Sequence, residues 1–181
     1  KKKEFEELLD QLPKDVIVVY DEVYFHFVDA DDFPFAIDYV KQGKNVIALH
    51  TFSKIYGLAG LRVGYGFTTP KIGEYLNKIF RPFRISTLST IAAYEALKDV
   101  EHVKDSQKMV WEGKKWLYAK FDENGVEYWP SQGNFIMFKV NEDSLSFTSR
   151  LLDEGVMVRP GNNFGAPGCI RLTIGTQEAN E

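Results

Sequence analysis

The sequence predicts an α/β protein: part of a mainly parallel sheet with its helices, then a smaller α+β unit joined to the sheet by a long helix. Three observations predict it. Short apolar, β-branched runs recur at residues 16–20, 46–49 and 61–67, mixed with helical patterns. A helical periodicity then persists over residues 88–121, an unusually long stretch. Beyond it, four short strand-like segments surround one further helix pattern. The division is expected near residue 105, giving units 1–104 and 105–181.

Each element has its own signal. Phe5, Leu8, Leu9 and Leu12 lie on one helical face at the start of the chain. The runs at residues 16–20 and 46–49 are continuous rather than alternating, which is how strands covered on both faces read. Thr69 and Pro70 are a cap and first residue for a helix over 70–80. Ile91, Tyr94, Leu97, Val110, Leu117 and Phe121 supply the apolar positions of the long helical stretch, with a kink expected at 100–103. Asn124-Gly125 tolerates left-handed geometry and ends it. Strands are expected at 126–129, 135–140, 156–159 and 169–174, with a helix at 145–154 stopped by Gly155. The closing Thr176-Gln177-Glu178 reads as a helix cap and first turn. Because the chain opens inside one helical pattern and closes at the start of another, it is expected to be part of a larger protein.

Composition narrows the function classes. The chain has 181 residues, 44% hydrophobic and 27% charged, with a net charge of −4. That is ordinary globular composition with no basic footprint for nucleic acid. No apolar run is long enough to span a membrane, and no signal peptide is visible. Nucleic acid and membrane are therefore not expected partners. The single cysteine, Cys169, excludes an intrachain disulfide and fits a reducing cytoplasm.

The chemistry concentrates in the run from Thr51 to Tyr65, which sets Lys54 among small residues and places Arg62 eight positions later. A lysine in such a loop is expected to be desolvated, which lowers its pKa and suits it to Schiff-base formation. Arg62, with the hydroxyls of Thr51 and Ser53, suits a phosphate dianion. Pyridoxal phosphate meets both needs, through its aldehyde and its phosphate. Gly57, Gly60 and Gly64 are expected to let backbone approach closely, or to serve plain turn chemistry.

Asp21 follows the first strand, where ligands sit in open α/β sheets. A carboxylate there can pair with the pyridine nitrogen of that cofactor; it can equally cap a turn. Tyr24 lies three residues on and can reach the cofactor's phenolic oxygen or be a packed aromatic. Arg171 lies in the otherwise apolar Cys169-Ile170-Arg171-Leu172-Thr173-Ile174 and wants an anionic partner, such as a substrate carboxylate. Arg159 fits the same role or a surface salt bridge. His26 reads as a packed or rim histidine. His50 and His102 are too dispersed for metal ligands, and no metal is expected. Asp29, Asp31 and Asp32 read as a solvated loop, Cys169 as core, and Arg81 and Arg84 as a loop or a subunit-facing segment.

Three stretches together resemble the fold-type I pyridoxal-phosphate enzymes and, within them, the histidinol-phosphate aminotransferases. They are Asp21-Glu22-Val23-Tyr24, the run Thr51 through Tyr65, and Val158-Arg159-Pro160 with Gly168-Cys169-Ile170-Arg171-Leu172-Thr173-Ile174-Gly175-Thr176. The resemblance covers the whole chain but about the second half of such an enzyme. It implies that residues 1–104 belong to the cofactor-binding large domain and 105–181 to a small C-terminal domain. Lys54 would be the Schiff-base lysine, with Asp21 on the pyridine nitrogen and Tyr24 on the cofactor oxygen. Thr51, Ser53 and Arg62 would hold the phosphate. Arg171 would clamp the α-carboxylate, and Arg159 the substrate phosphate or distal carboxylate.

The implied reaction moves an amino group between L-histidinol phosphate and 2-oxoglutarate, in a cytoplasmic homodimer of histidine biosynthesis. Aromatic aminotransferases and threonine-phosphate decarboxylases of the same fold, or a non-catalytic remnant, remain alternatives. Val23, His26 and the segment Pro82-Phe83-Arg84-Ile85-Ser86 depart from the family pattern, so specificity stays open. The upstream elements of the family's site are not in this sequence, and the 181-residue chain alone is expected to bind cofactor poorly.

Overall fold

The computed structural model describes all of Lys1–Glu181, and the chain divides into two compact units, Lys1–Lys104 and Asp105–Glu181. In chain order the elements are α1 (Lys2–Gln11), β1 (Val18–Asp21), α2 (Ala36–Lys41), β2 (Val46–Thr51), β3 (Gly64–Phe67), α3 (Pro70–Lys78), α4 (Thr87–Ala96), α5 (Val100–Glu123), β4 (Tyr128–Trp129), β5 (Phe135–Lys139), α6 (Ser144–Asp153), β6 (Arg159–Pro160), β7 (Cys169–Thr173) and α7 (Gln177–Asn180).

In the first unit the sheet order is β1-β2-β3. β1 and β2 are parallel, with Val18 opposite Val46 and Asp21 opposite Leu49. Their connection contains α2, the helical crossover that parallel neighbours need. β2 and β3 are antiparallel, with Thr51 opposite Gly64. Of the two pairings present, one is therefore parallel and one antiparallel. The link from β2 to β3 holds only a short 3₁₀ turn at Ala59–Leu61, so the chain folds straight back.

Coverage of the sheet also differs from expectation. Val18, Tyr20, Val46 and Ala48 face the side where Phe5 and Leu9 of α1 and Ala36 and Tyr39 of α2 pack. Phe5 stacks on Tyr20 at 4.6 Å and meets Tyr39 edge-on at 5.1 Å. Val19, Asp21 and Leu49 lie on the opposite face, where they are exposed. Alternation along each strand therefore puts one face in the core and leaves the other open within this chain. The short helix α2 carried no sequence signal: its N-cap, Phe35, makes no side-chain capping bond.

A second core of Phe52, Val63 and Ala93, with Tyr56, Leu58, Leu61, Tyr65 and Ala96, packs α4 against the loop between β2 and β3. Ser86 caps α4 by accepting from the Ser89 backbone N–H, and the Ser89 hydroxyl donates to the Leu61 carbonyl at 2.7 Å. The helical stretch expected over 88–121 is thus two helices, and the break comes at residues 97–99 rather than 100–103.

In the second unit the order is β4-β5-β7-β6, and every pairing is antiparallel. Ile136 and Ile170 are fully buried at its centre, with Val110 and Leu117 from α5. Each such isoleucine stabilises the unit by about 2–3 kcal/mol relative to exposure. Gly113 lets α5 approach closely: a Cβ there would lie 2.7 Å from a methyl of Ile174. Lys114 is buried, and its ammonium donates to the Ser131 carbonyl at 3.0 Å. Left-handed Gly125 and Gly155 end α5 and α6 as their positions suggested.

Candidate active site

Parallel β1 and β2 bring their carboxyl ends together, and the chemistry-bearing residues of the first unit gather there. Asp21 is the last residue of β1, and its Oδ1 accepts from the Val23 backbone N–H at 3.3 Å. Thr51 ends β2, and its hydroxyl oxygen accepts from the Ser53 N–H at 3.0 Å. Asp21 and Thr51 both lie on the open face of the sheet, since both stand an even number of residues from Val19 or Leu49. Opposite Thr51 is Gly64, where a Cβ would lie 2.7 Å from the His50 carbonyl oxygen. A side chain cannot enter there without moving the strand.

Lys54 sits three residues beyond β2. Its ammonium lies 5.0 Å from the centroid of the Tyr24 ring, within cation–π reach. Lys54 is partly buried. Gly57 turns the chain at φ +67°, as only glycine does freely. Gly60 differs from the expectation of close approach: a Cβ there would meet nothing within 4 Å.

Arg62 adopts φ 51° and ψ 47°, the left-handed region, which costs a non-glycine residue about 1–2 kcal/mol. Its Nη1 donates to the Ala59 carbonyl at 2.9 Å and reaches the Ser53 hydroxyl at 3.5 Å. The guanidinium thus reaches the hydroxyl of Ser53, the residue next to Lys54.

Near this loop lies a set of polar pairs that the sequence does not show as pairs. Glu22 and His50 are both buried, with His50 Nε2 2.9 Å from Glu22 Oε2. His26 Nε2 lies 3.3 Å from the Tyr56 hydroxyl. Burial pushes the His26 imidazole down to about 4, with the neighbouring His50 adding to the effect. Burial also raises the Tyr56 phenol, and takes Tyr65 up to about 12. His102, from α5, has Nε2 2.8 Å from the Ile55 carbonyl. His26 and His102 thus each contact the lysine loop, through the Tyr56 hydroxyl and the Ile55 carbonyl. For His50 a signal was present: it shares the buried face of β2 with Val46 and Ala48, where a polar side chain needs a partner.

The second unit carries two arginines of its own. Arg171 of β7 stands between Met137 of β5 and Arg159 of β6 in one cross-strand row. The Arg171 guanidinium lies 3.9 Å from the Phe135 ring centroid and 5.7 Å from that of Phe164. Phe135 and Phe164 were not singled out from the sequence.

The sequence matches the family described as aminotransferase class I and II over residues 1–181. The chain belongs to that family. Among similar class I and II aminotransferases is the histidinol-phosphate aminotransferase of Moorella thermoacetica, 47% identical over 174 residues, covering 96% of this chain and 45% of that protein. The enzyme of the same name from Brevibacillus brevis is 43% identical over 178 residues, covering 98% of this chain and 49% of that protein. A crystal structure of histidinol-phosphate aminotransferase from Sinorhizobium meliloti in complex with pyridoxal-5'-phosphate superimposes with a TM-score of 0.84 at 27% identity, covering 99% of this chain and 50% of that one. The chain therefore spans about half the length of the relatives it matches. In this aminotransferase chain, Asp21, Tyr24, Thr51, Ser53, Lys54 and Arg62 are assembled by the first unit, and Arg159 with Arg171 by the second.

Proposed function

We propose that this chain supplies the lysine-bearing part of a pyridoxal-phosphate-dependent histidinol-phosphate aminotransferase, which moves an amino group between L-histidinol phosphate and 2-oxoglutarate. The observation that carries the reading is the convergence of Lys54, Tyr24 and the Arg62–Ser53 pair beyond the carboxyl ends of two parallel strands. The donor set suits the cofactor: one amine, one carboxylate, a phenol, and a guanidinium with two hydroxyls. Identity of 43–47% to curated enzymes of that name supports the substrate choice.

On this reading residues 1–104 are part of the large domain and 105–181 a small domain. Bound pyridoxal phosphate supplies an aldehyde that captures amines and a ring that withdraws electrons from the substrate α-carbon. Lys54 would be the amine that holds that aldehyde, and its amine could act as general base towards the substrate α-proton. Asp21 would pair with the ring nitrogen, and Tyr24, 5.0 Å from the Lys54 ammonium, would reach the ring oxygen. Thr51, Ser53 and Arg62 hold the phosphate. Arg171, steadied by Phe135, grips the α-carboxylate in a bidentate fork, and Arg159 takes the substrate phosphate or distal carboxylate. A homodimer accords with the exposed Ile79, Phe80, Phe83 and Leu88, which suit burial against further protein. A cytoplasmic site accords with a lone cysteine and a biosynthetic role.

The test is the visible absorbance of the full-length protein with added pyridoxal phosphate, compared with Lys54→Ala. A near-violet band present in the first and absent in the second supports the reading. Its absence from the full-length protein overturns it. Turnover of L-histidinol phosphate, aromatic amino acids and threonine phosphate, measured side by side, then separates the histidinol-phosphate enzyme from its same-fold alternatives.

A further inference from the structure

We infer that Glu22 and His50 are a positioning pair that sets the Asp21 and Lys54 loops relative to each other, an inference that rests on the cofactor reading above. Glu22 directly follows Asp21, and His50 precedes Lys54 by four residues. Their side chains are 1% and 6% exposed, and they meet at 2.9 Å. Two further bonds of Glu22 reach neighbouring elements. Its Oε1 accepts from the Ala36 N–H that opens α2, at 2.7 Å, and its backbone N–H donates to the Leu49 carbonyl at 3.0 Å. One residue thereby ties β1, β2 and α2 at the edge where the site stands.

The surroundings argue that the pair is held for geometry. His50 stacks on Phe25 at 4.1 Å and is met edge-on by Tyr65 at 5.1 Å and Phe67 at 5.3 Å. Its Nδ1 is buried with no hydrogen-bond partner. With the Glu22 carboxylate beside it, Nε2 is the nitrogen that donates. A buried pair with one nitrogen unsatisfied is weak stabilisation compared with an apolar pair of the same volume. What it adds is direction. The Asp21 carboxylate is aimed by its bond to the Val23 N–H, one residue past Glu22, and Thr51 adjoins His50. A swing of Glu22 would therefore turn the Asp21 carboxylate, and a swing of His50 would move the Thr51–Lys54 loop.

The experiment compares three variants of the full-length holoenzyme. His50→Phe keeps the stacking and removes the donor, His50→Gln keeps an N–H near the Nε2 position, and Glu22→Gln keeps shape without charge. Three quantities are read: kcat, KM, and the pH midpoint of the bound cofactor's visible absorbance. His50→Phe and Glu22→Gln are expected to lower kcat about 10- to 100-fold with KM changed less than about threefold, as small misplacements of reacting groups do. Both should displace the pH midpoint by about half a unit or more, because the midpoint reports the charges around Lys54. His50→Gln should restore kcat and midpoint to near wild type, which a cavity or packing defect would not allow. Folded His50→Phe and Glu22→Gln proteins with wild-type kcat and midpoint overturn the inference. If His50→Phe does not fold, an unshifted midpoint in Glu22→Gln overturns it equally. Failure of the cofactor reading looks different: the wild-type protein then lacks the absorbance altogether, and the inference falls with it.

Discussion

Arg159 and Arg171 are direct cross-strand partners in β6 and β7, so two guanidinium groups share one face of a four-stranded sheet. Like charges directly opposite one another are destabilising, and an anion laid between them relieves the repulsion. Arg171→Lys is expected to raise KM for amino and 2-oxo acids about 10- to 100-fold, since a lysine cannot make the bidentate fork. Arg159→Ala should instead raise stability by about 0.2–1 kcal/mol in the absence of substrate and weaken only substrates with a second anionic group. Steady-state kinetics and urea denaturation of the two variants check this.

Arg62 gives up stability for position. Its left-handed backbone suits glycine, so Arg62→Gly is expected to raise the stability of the cofactor-free protein by about 0.5–1 kcal/mol. The same change should weaken pyridoxal-phosphate binding at least about 30-fold, because charge-assisted bonds to phosphate are lost. Thermal unfolding and a cofactor titration measure the two effects separately. A variant that is both less stable and equally tight in binding would contradict the account.

Gly64 and Gly60 look alike in the sequence and are expected to respond oppositely. Gly64→Ala forces a methyl to within 2.7 Å of the His50 carbonyl, across the β2–β3 ladder. It should cost about 1–3 kcal/mol and disturb the lysine loop. Gly60→Ala meets open space and should be neutral or stabilising by up to about 1 kcal/mol. Chemical denaturation of both decides it.

His26 links stability to acid. Its folded-state value of about 4 lies below the ordinary 6.5, chiefly because it is buried and secondarily because His50 is near. The unfolded chain therefore binds the proton more readily, and His26 draws stability down as pH falls from about 6.5 towards 4. Above that window it has no effect of this kind. The urea midpoint measured across this range should fall less steeply in His26→Gln than in the wild-type protein.

Much of the candidate site was legible because it is local. Lys54, Arg62 and the hydroxyls of Thr51 and Ser53 lie within one loop, and their spacing alone placed them beside one another. The ends of α5 and α6 were legible for the same reason, since a glycine's left-handed turn depends on its own backbone. The relationships between distant segments were not. Glu22 meets His50 only because β1 and β2 pair in parallel with Asp21 opposite Leu49. Arg159 faces Arg171 only through the register of β6 on β7. The reversal of β3 likewise follows from which strands pair. The amino-acid order carried the chemistry, because backbone preference and charge act over a few residues. Tertiary structure decided which side chains became partners, because a strand's register turns every residue to one face or the other at a single stroke.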